Sequence, residues 1–139
     1  MQANGFVFFE IYVADLAYYK SIFELGLGMR VVEDDVDFVK LKSAYGTVLL
    51  NAMTNLPESH PFARYRDVPV RGMGVEMGIV TVDLSTAHAR TKDIPGCVVS
   101  DIVTQEWGMS DFRIRTREGY FFRVTTPDPE EPFTPYAEP

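Results

Sequence analysis

Two glutamates stand in apolar segments of the sequence, where a carboxylate could bind a cation or transfer a proton. Glu10 lies between Phe8 and Tyr12 in an aromatic-rich run at 6–13 that predicts a strand. Side chains alternate along a strand, so these three share one face. Glu76 lies near the start of a second predicted strand at 75–82. Either glutamate could act as a general acid or base, as lyases and isomerases require.

More definite catalytic motifs are absent from the sequence. It has no nucleophile elbow, Gly-rich phosphate loop, Cys–His pairing or zinc-type spacing. The net charge of −7 argues against a nucleic-acid partner, because such proteins concentrate Lys and Arg. The apolar runs are too short to cross a membrane. A single cysteine, Cys97, and no export signal at the N-terminus predict a reducing, cytoplasmic location.

The first half of the chain predicts the order β-α-β-β-β. After the strand at 6–13, Asp15 has N-cap chemistry for an amphipathic helix that ends at Gly26 and Gly28. Three strands follow at 29–33, 38–41 and 47–53, separated by turn residues.

The same order of elements recurs in the second half of the chain. A strand at 75–82 leads to Asp83 as N-cap, a helix through Ala87 and Arg90, and strands at 97–104, 111–116 and 120–125. Internal duplication explains the repeat. The resulting division has a lead at 1–5, a first module at 6–53, a connection at 54–74, a second module at 75–127 and a proline-rich tail at 128–139.

Two stretches resemble one known family. Residues 18–27 are similar to its "FY…LG" helix end, and residues 107–119 are similar to its "WG…F…DP-G" hairpin. With the two βαβββ modules, they resemble the glyoxalase/bleomycin resistance/dioxygenase proteins, also called the vicinal oxygen chelate superfamily. The resemblance implies an α+β fold whose mixed sheet curls around a cleft, commonly in a homodimer.

The resemblance also implies positions for four metal ligands on the first and last strand of each module. In this sequence they fall on Phe8, Leu50, Glu76 and Arg123. Phenylalanine and leucine donate no lone pair, and arginine is a fixed cation. We therefore expect no metal ligands and no cofactor.

The same arrangement implies which side chains line the cleft. The expected ligand-binding residues are Phe8, Glu10, Tyr12, Leu50, Glu76, Trp107, Phe121 and Arg123, with Val48 and Val80 beside them. Glu76 and Arg123 could instead form a structural ion pair. Trp107 could stack on a ligand or be a buried anchor between modules. His60 and His88 are expected at the surface or partly packed, with His60 the nearer to a ligand.

An apolar cleft with a few polar groups favours a small-molecule-binding protein without a metal. Non-metal members of the family include proteins that sequester cationic, aromatic antibiotics, and this composition is compatible with that role. The alternatives are a lyase, an isomerase or a metal-dependent glyoxalase- or dioxygenase-type enzyme that uses Glu76 or Glu10. A dimeric interaction module with an empty cleft is a third class.

Overall fold

The computed structural model describes residues 7–44 and 46–130, which form two β-sheets with two helices. The first sheet and its helix come from the first half of the chain: β1 (Phe9–Val13), α1 (Leu16–Ser21), β2 (Arg30–Asp34), β3 (Phe38–Ser43) and β4 (Gly46–Ala52). The second sheet and its helix are β5 (Glu76–Val80), α2 (Leu84–Lys92), β6 (Val98–Val99), β7 (Val103–Thr104), β8 (Ser110–Arg115) and β9 (Phe121–Thr125).

The two sheets have matching strand orders. They run β1-β4-β3-β2 and β5-β9-β8-β6, and β7 also pairs with β8. The first strand of each sheet pairs in parallel with the last, whereas the other pairs are antiparallel. The predicted α+β class and the βαβββ order are confirmed, and β1 and β5 are edge strands.

Both helices begin at the aspartates that the sequence predicts as N-caps. Asp15 Oδ1 accepts a hydrogen bond from the backbone N–H of Tyr18 at 3.1 Å, and Asp83 Oδ1 accepts one from Thr86 at 3.1 Å. These bonds satisfy amide groups that have no partner within the helix. The first helix continues beyond Ser21 as a π-helical segment, Ile22–Gly26.

One hydrophobic core joins the two modules. Side chains from α1, the π-helical segment and both sheets belong to a single buried cluster. Phe23 meets Phe122 edge to face, with ring centroids 5.2 Å apart, and Tyr19 meets Tyr120 at 5.8 Å. The modules therefore pack through their helix-bearing sides, which leaves the opposite faces of both sheets partly exposed.

The predicted strand at 97–104 is divided in the structure into β6 and β7. At the break, Ser100 Oγ accepts a hydrogen bond from the backbone N–H of Arg113 at 2.8 Å, where a continuous strand would offer a carbonyl. The connection contains a 3₁₀ turn, Ala63–Tyr65. Predictions for 1–6, for Tyr45 and for 131–139 lie outside the described residues. No helix within the described ranges is long and apolar enough to cross a membrane.

Candidate functional site

The outer face of the first sheet carries Glu10 and Tyr12, as the sequence predicts. Ile11 and Val13 point to the core, so the residues between them face outward. Glu10 Oε1 accepts a hydrogen bond from Asn51 Nδ2 at 2.9 Å, and Asn51 lies opposite Tyr12 in the neighbouring strand. The exposed face of this sheet thus presents the carboxylate of Glu10, hydrogen-bonded to the amide of Asn51, beside the phenol ring of Tyr12.

Leu50 does not lie on this face, so its predicted place in the lining of the cleft is wrong. It is fully buried in the core, where it lies opposite Ile11, and Val48 is buried in the same way. The outward positions of β4 are Leu49 and Asn51, one residue to either side of the predicted position. An error of one residue reverses the face of a strand.

A cavity of about 630 Å³ lies between the two edge strands, under the connection. Its wall consists mainly of aromatic, methionine and valine side chains, among them Tyr12, Met53, Phe62, Tyr65, Met73 and Met77. Glu10 and Arg71 are the charged residues of the lining. The sequence predicted Glu10 and Tyr12 here but missed the rest, although proline-rich long connections often line ligand sites.

The aromatic side of the cavity is held together by ring contacts. The ring of Tyr12 lies 5.4 Å from that of His60 and 6.0 Å from that of Phe62. Burial raises the pKa of Tyr12, and the Glu10 carboxylate adds to the increase. His60 lies close to the cavity wall, as expected. His88 belongs to α2 and contacts Ser100 O and the Phe112 ring.

The floor of the cavity contains a buried ion pair. Arg71 donates from Nη1 to Glu118 Oε2, and the two side chains are 13% and 11% exposed. Beside them, Tyr120 donates from its hydroxyl to Tyr12 O at 2.7 Å. Burial raises the pKa of Tyr120 to about 12. Because Glu118 neutralises Arg71, Glu10 is the lining charge that no opposite charge within the described residues balances.

The outer face of the second sheet carries Glu76, Phe121 and Arg123, again as predicted. The alternative in which Glu76 pairs with Arg123 is not what the structure shows, because Arg113 donates from Nε to Glu76 Oε1 at 2.9 Å. Arg113 lies directly opposite Arg123 and reaches across β9 to Glu76. A second, more open cavity of about 680 Å³ is lined by Glu76, Arg115 and Phe121 among others.

Phe8 and Trp107 lie apart from both cavities. Phe8 precedes β1 and is half exposed, and Trp107 is 63% exposed in the turn between β7 and β8. Neither lines either cavity. Trp107 is therefore not a buried anchor, and the structure does not bring it together with Glu10, Tyr12 or Arg123.

The residues at the implied metal positions do not fit a divalent cation. Leu50 is in the core, Arg123 is cationic, and Arg113 holds the carboxylate of Glu76. Glu10 and Glu76 line different cavities. Over the described parts of the chain, no three His, Cys, Asp or Glu side chains converge on one point.

Comparisons with known proteins extend the resemblance to the whole fold. No protein-family model and no curated protein matches the sequence. The chain is similar to the solved structure of an integron cassette protein from V. cholerae, at 21% identity and a TM-score of 0.61, over 91% of this chain and 97% of that one.

Two further solved structures carry the family name. One is a glyoxalase/bleomycin resistance protein/dioxygenase family enzyme from Burkholderia phytofirmans, at 15% identity and a TM-score of 0.64, covering 86% of this chain and 95% of that one. The other is a glyoxalase-related enzyme from Fulvimarina pelagi, at 9% identity and a TM-score of 0.66, covering 89% and 88%. This chain therefore has the fold of the glyoxalase/bleomycin resistance/dioxygenase proteins.

Proposed function

We propose that this chain binds a small aromatic molecule bearing a positive charge, without a metal, in the cavity between β1 and β5. The observation that carries the proposal is the lining: an apolar and aromatic wall with one unbalanced carboxylate, that of Glu10. A cavity of about 630 Å³ is in the range of drug-sized ligands. Sequestration of a cationic, aromatic compound such as an antibiotic is the role we propose.

Aromatic rings and a carboxylate together select an aromatic cation. The faces of Tyr12, Phe62 and Tyr65 attract a cation and offer flat apolar surface. A protonated amine can donate to the carboxylate of Glu10, which Asn51 holds in place through Oε1. An acidic ligand would instead meet an uncompensated negative charge.

Titration calorimetry with three matched probes tests the selectivity: 2-naphthylmethylamine, 2-naphthylmethanol and 2-naphthoate. We expect the amine to bind most tightly, and Glu10→Gln to weaken its binding about tenfold while leaving the alcohol unchanged. Glu106→Gln, which removes an exposed carboxylate from the turn before β8, is the control of equal charge. Equal binding of amine and alcohol, or equal effects of the two substitutions, contradicts the proposal.

Absence of a metal is a separate part of the proposal. Ligand chemistry supports it, because the implied positions supply an arginine and an ion-paired carboxylate. Metal analysis after purification in the presence of Ni²⁺, Zn²⁺, Fe²⁺ or Mn²⁺ should find well under one ion per chain. One bound ion per chain contradicts it. Acid–base catalysis by Glu76 has less support, because Arg113 already holds that carboxylate.

We further propose that the chain functions as a cytoplasmic homodimer. Large apolar side chains around the cavity are exposed, including Phe62 at 51% and Met73 at 80%. A second copy would remove this surface from water. Light scattering behind size exclusion should give twice the mass of the chain, and a monomer over the whole concentration range contradicts this part of the proposal.

A further inference from the structure

The outer face of the second sheet concentrates positive charge in an acidic protein. Arg113 on β8 lies directly opposite Arg123 on β9. Arg115, two residues after Arg113 on the same face, lies opposite Phe121. Like charges directly opposite each other destabilise a sheet. The chain as a whole has a net charge of −7, so this cluster of three guanidinium groups is a local exception to its acidic composition.

Only one of the three arginines is neutralised. Arg113 donates from Nε to Glu76 Oε1 at 2.9 Å and from Nη1 to Asp111 Oδ1 at 3.3 Å. Arg115 and Arg123 have no acidic partner among the described residues. The Nε atom of Arg123 is buried without a hydrogen-bond partner. Because that atom is closed to solvent, an anion would be bound by the Nη groups of Arg123.

The structure leaves room for a ligand next to Arg123. The strand partner of Arg123 on β5 is Gly78, and a Cβ added there would meet no atom within 4 Å. Phe121 offers half-buried aromatic surface two residues away on the same face, where the open cavity of about 680 Å³ begins. An anionic head group at Arg123 can thus continue into an apolar body on Phe121.

We propose that Arg123, assisted by Arg115, binds the carboxylate or phosphate group of a small molecule that extends over Gly78 and Phe121. A guanidinium presents a planar fork of donors that matches either oxyanion. Arg123 is also one of the four positions at which the family resemblance implies a metal ligand. A guanidinium at that position binds anions, whereas a metal ligand binds a cation. This site differs from the cation-selective cavity in its charged groups, because it lies on the other sheet and includes neither Glu10 nor Tyr12, although the two cavities share wall residues of the connection such as Val70 and Met73.

Calorimetry or NMR titration of the full chain with benzoate and phenyl phosphate at low ionic strength tests the proposal. We expect saturable binding of at least one probe, weakened about tenfold by Arg123→Gln. Arg123→Lys keeps the charge but loses the fork, and should recover part of the affinity. Arg90→Gln, on the exposed side of α2, removes the same charge and should change nothing. The tighter probe identifies the oxyanion.

A substitution of opposite sign separates ligand binding from a structural role. Glu76→Gln releases Arg113 from its carboxylate partner, so it should tighten anion binding several-fold. Arg123→Gln should leave the melting temperature unchanged or raise it, because it removes the repulsion from Arg113. Absence of saturable binding, or equal binding by Arg123→Gln and Arg90→Gln, overturns the proposal. Binding of 2-naphthylmethylamine should be the same in Arg123→Gln as in the unsubstituted chain, which keeps the two sites distinguishable.

Discussion

Glu118 links three parts of the chain through one carboxylate. Its Oε1 accepts a hydrogen bond from the backbone N–H of Ala14 at 2.8 Å, at the end of β1. Its Oε2 accepts one from Arg71 in the connection, and Glu118 itself lies in the turn before β9. The carboxylate is the acceptor for both donors, so removing it leaves the Ala14 amide and the Arg71 guanidinium without that acceptor.

Glu118→Gln should therefore lower the free energy of unfolding by about 3 kcal/mol, because Arg71 would keep a buried charge without a partner. The matched control is Glu58→Gln, which breaks an ion pair to Arg66 whose carboxylate side chain is 90% exposed. That change should be barely measurable. Urea unfolding of both variants checks the difference, and equal effects would mean that the Arg71 pair contributes no more than a surface pair.

Residue partners were the least predictable part of the site. Alternation along β5 and β9 correctly placed Glu76 and Arg123 on one outer face. The choice of Arg113 as partner depends on a side chain that crosses β9 diagonally. No sequence spacing encodes that reach, because it requires the order of three strands in the sheet.

Among the elements, the first helix approaches α2 closely at its end, where Gly26 lies against Thr91. A Cβ placed on Gly26 would lie 2.6 Å from Thr91 Cγ2, and Thr91 is fully buried. Thr91 Oγ1 donates to Ala87 O at 2.8 Å, which fixes its rotamer. Glycine at the end of the π-helical segment thus allows the two helices to approach.

Gly26→Ala should destabilise the protein by about 1–3 kcal/mol, since overpacking outweighs the gain of about 1 kcal/mol in helix propensity. Adding Thr91→Ser, which removes Cγ2 and keeps the hydroxyl, should restore most of the loss. Gly78→Ala on β5 is the control, because open space surrounds its Cβ position. Thermal unfolding of the three variants measures the effect, and a more stable Gly26→Ala would show that the helices can separate without cost.

Element order and helix starts could be predicted because local chemistry determines them. Asp15 and Asp83 cap their helices through bonds to residues three positions away. The face of Leu50 could not be predicted in the same way, because it depends on where β4 enters the sheet at Gly46. The cavity depends on how the connection folds over β1. The sequence of the connection has little periodicity, so it does not predict that path.

At the scale of the whole molecule, three tyrosine hydroxyls tie the first module to the second. Tyr18 donates to Gly96 O at 2.7 Å, Tyr19 contacts Thr116 Oγ1 at 2.9 Å, and Tyr120 donates to Tyr12 O at 2.7 Å. Burial raises the pKa of all three hydroxyls. The junction between modules therefore depends on protons that alkaline solution removes.

Stability should fall as the pH rises above about 10, the ordinary pKa of tyrosine in an unfolded chain. Between that pH and about 12, the folded protein still holds the Tyr120 proton whereas the unfolded chain has released it. Unfolding then releases a proton, so each such hydroxyl lowers the free energy of unfolding by up to about 1.4 kcal/mol per pH unit. Urea unfolding between pH 8 and the alkaline limit measures this slope. Tyr120→Phe should start about 1 kcal/mol less stable but show a shallower slope, and an unchanged slope would mean that Tyr120 titrates alike in both states.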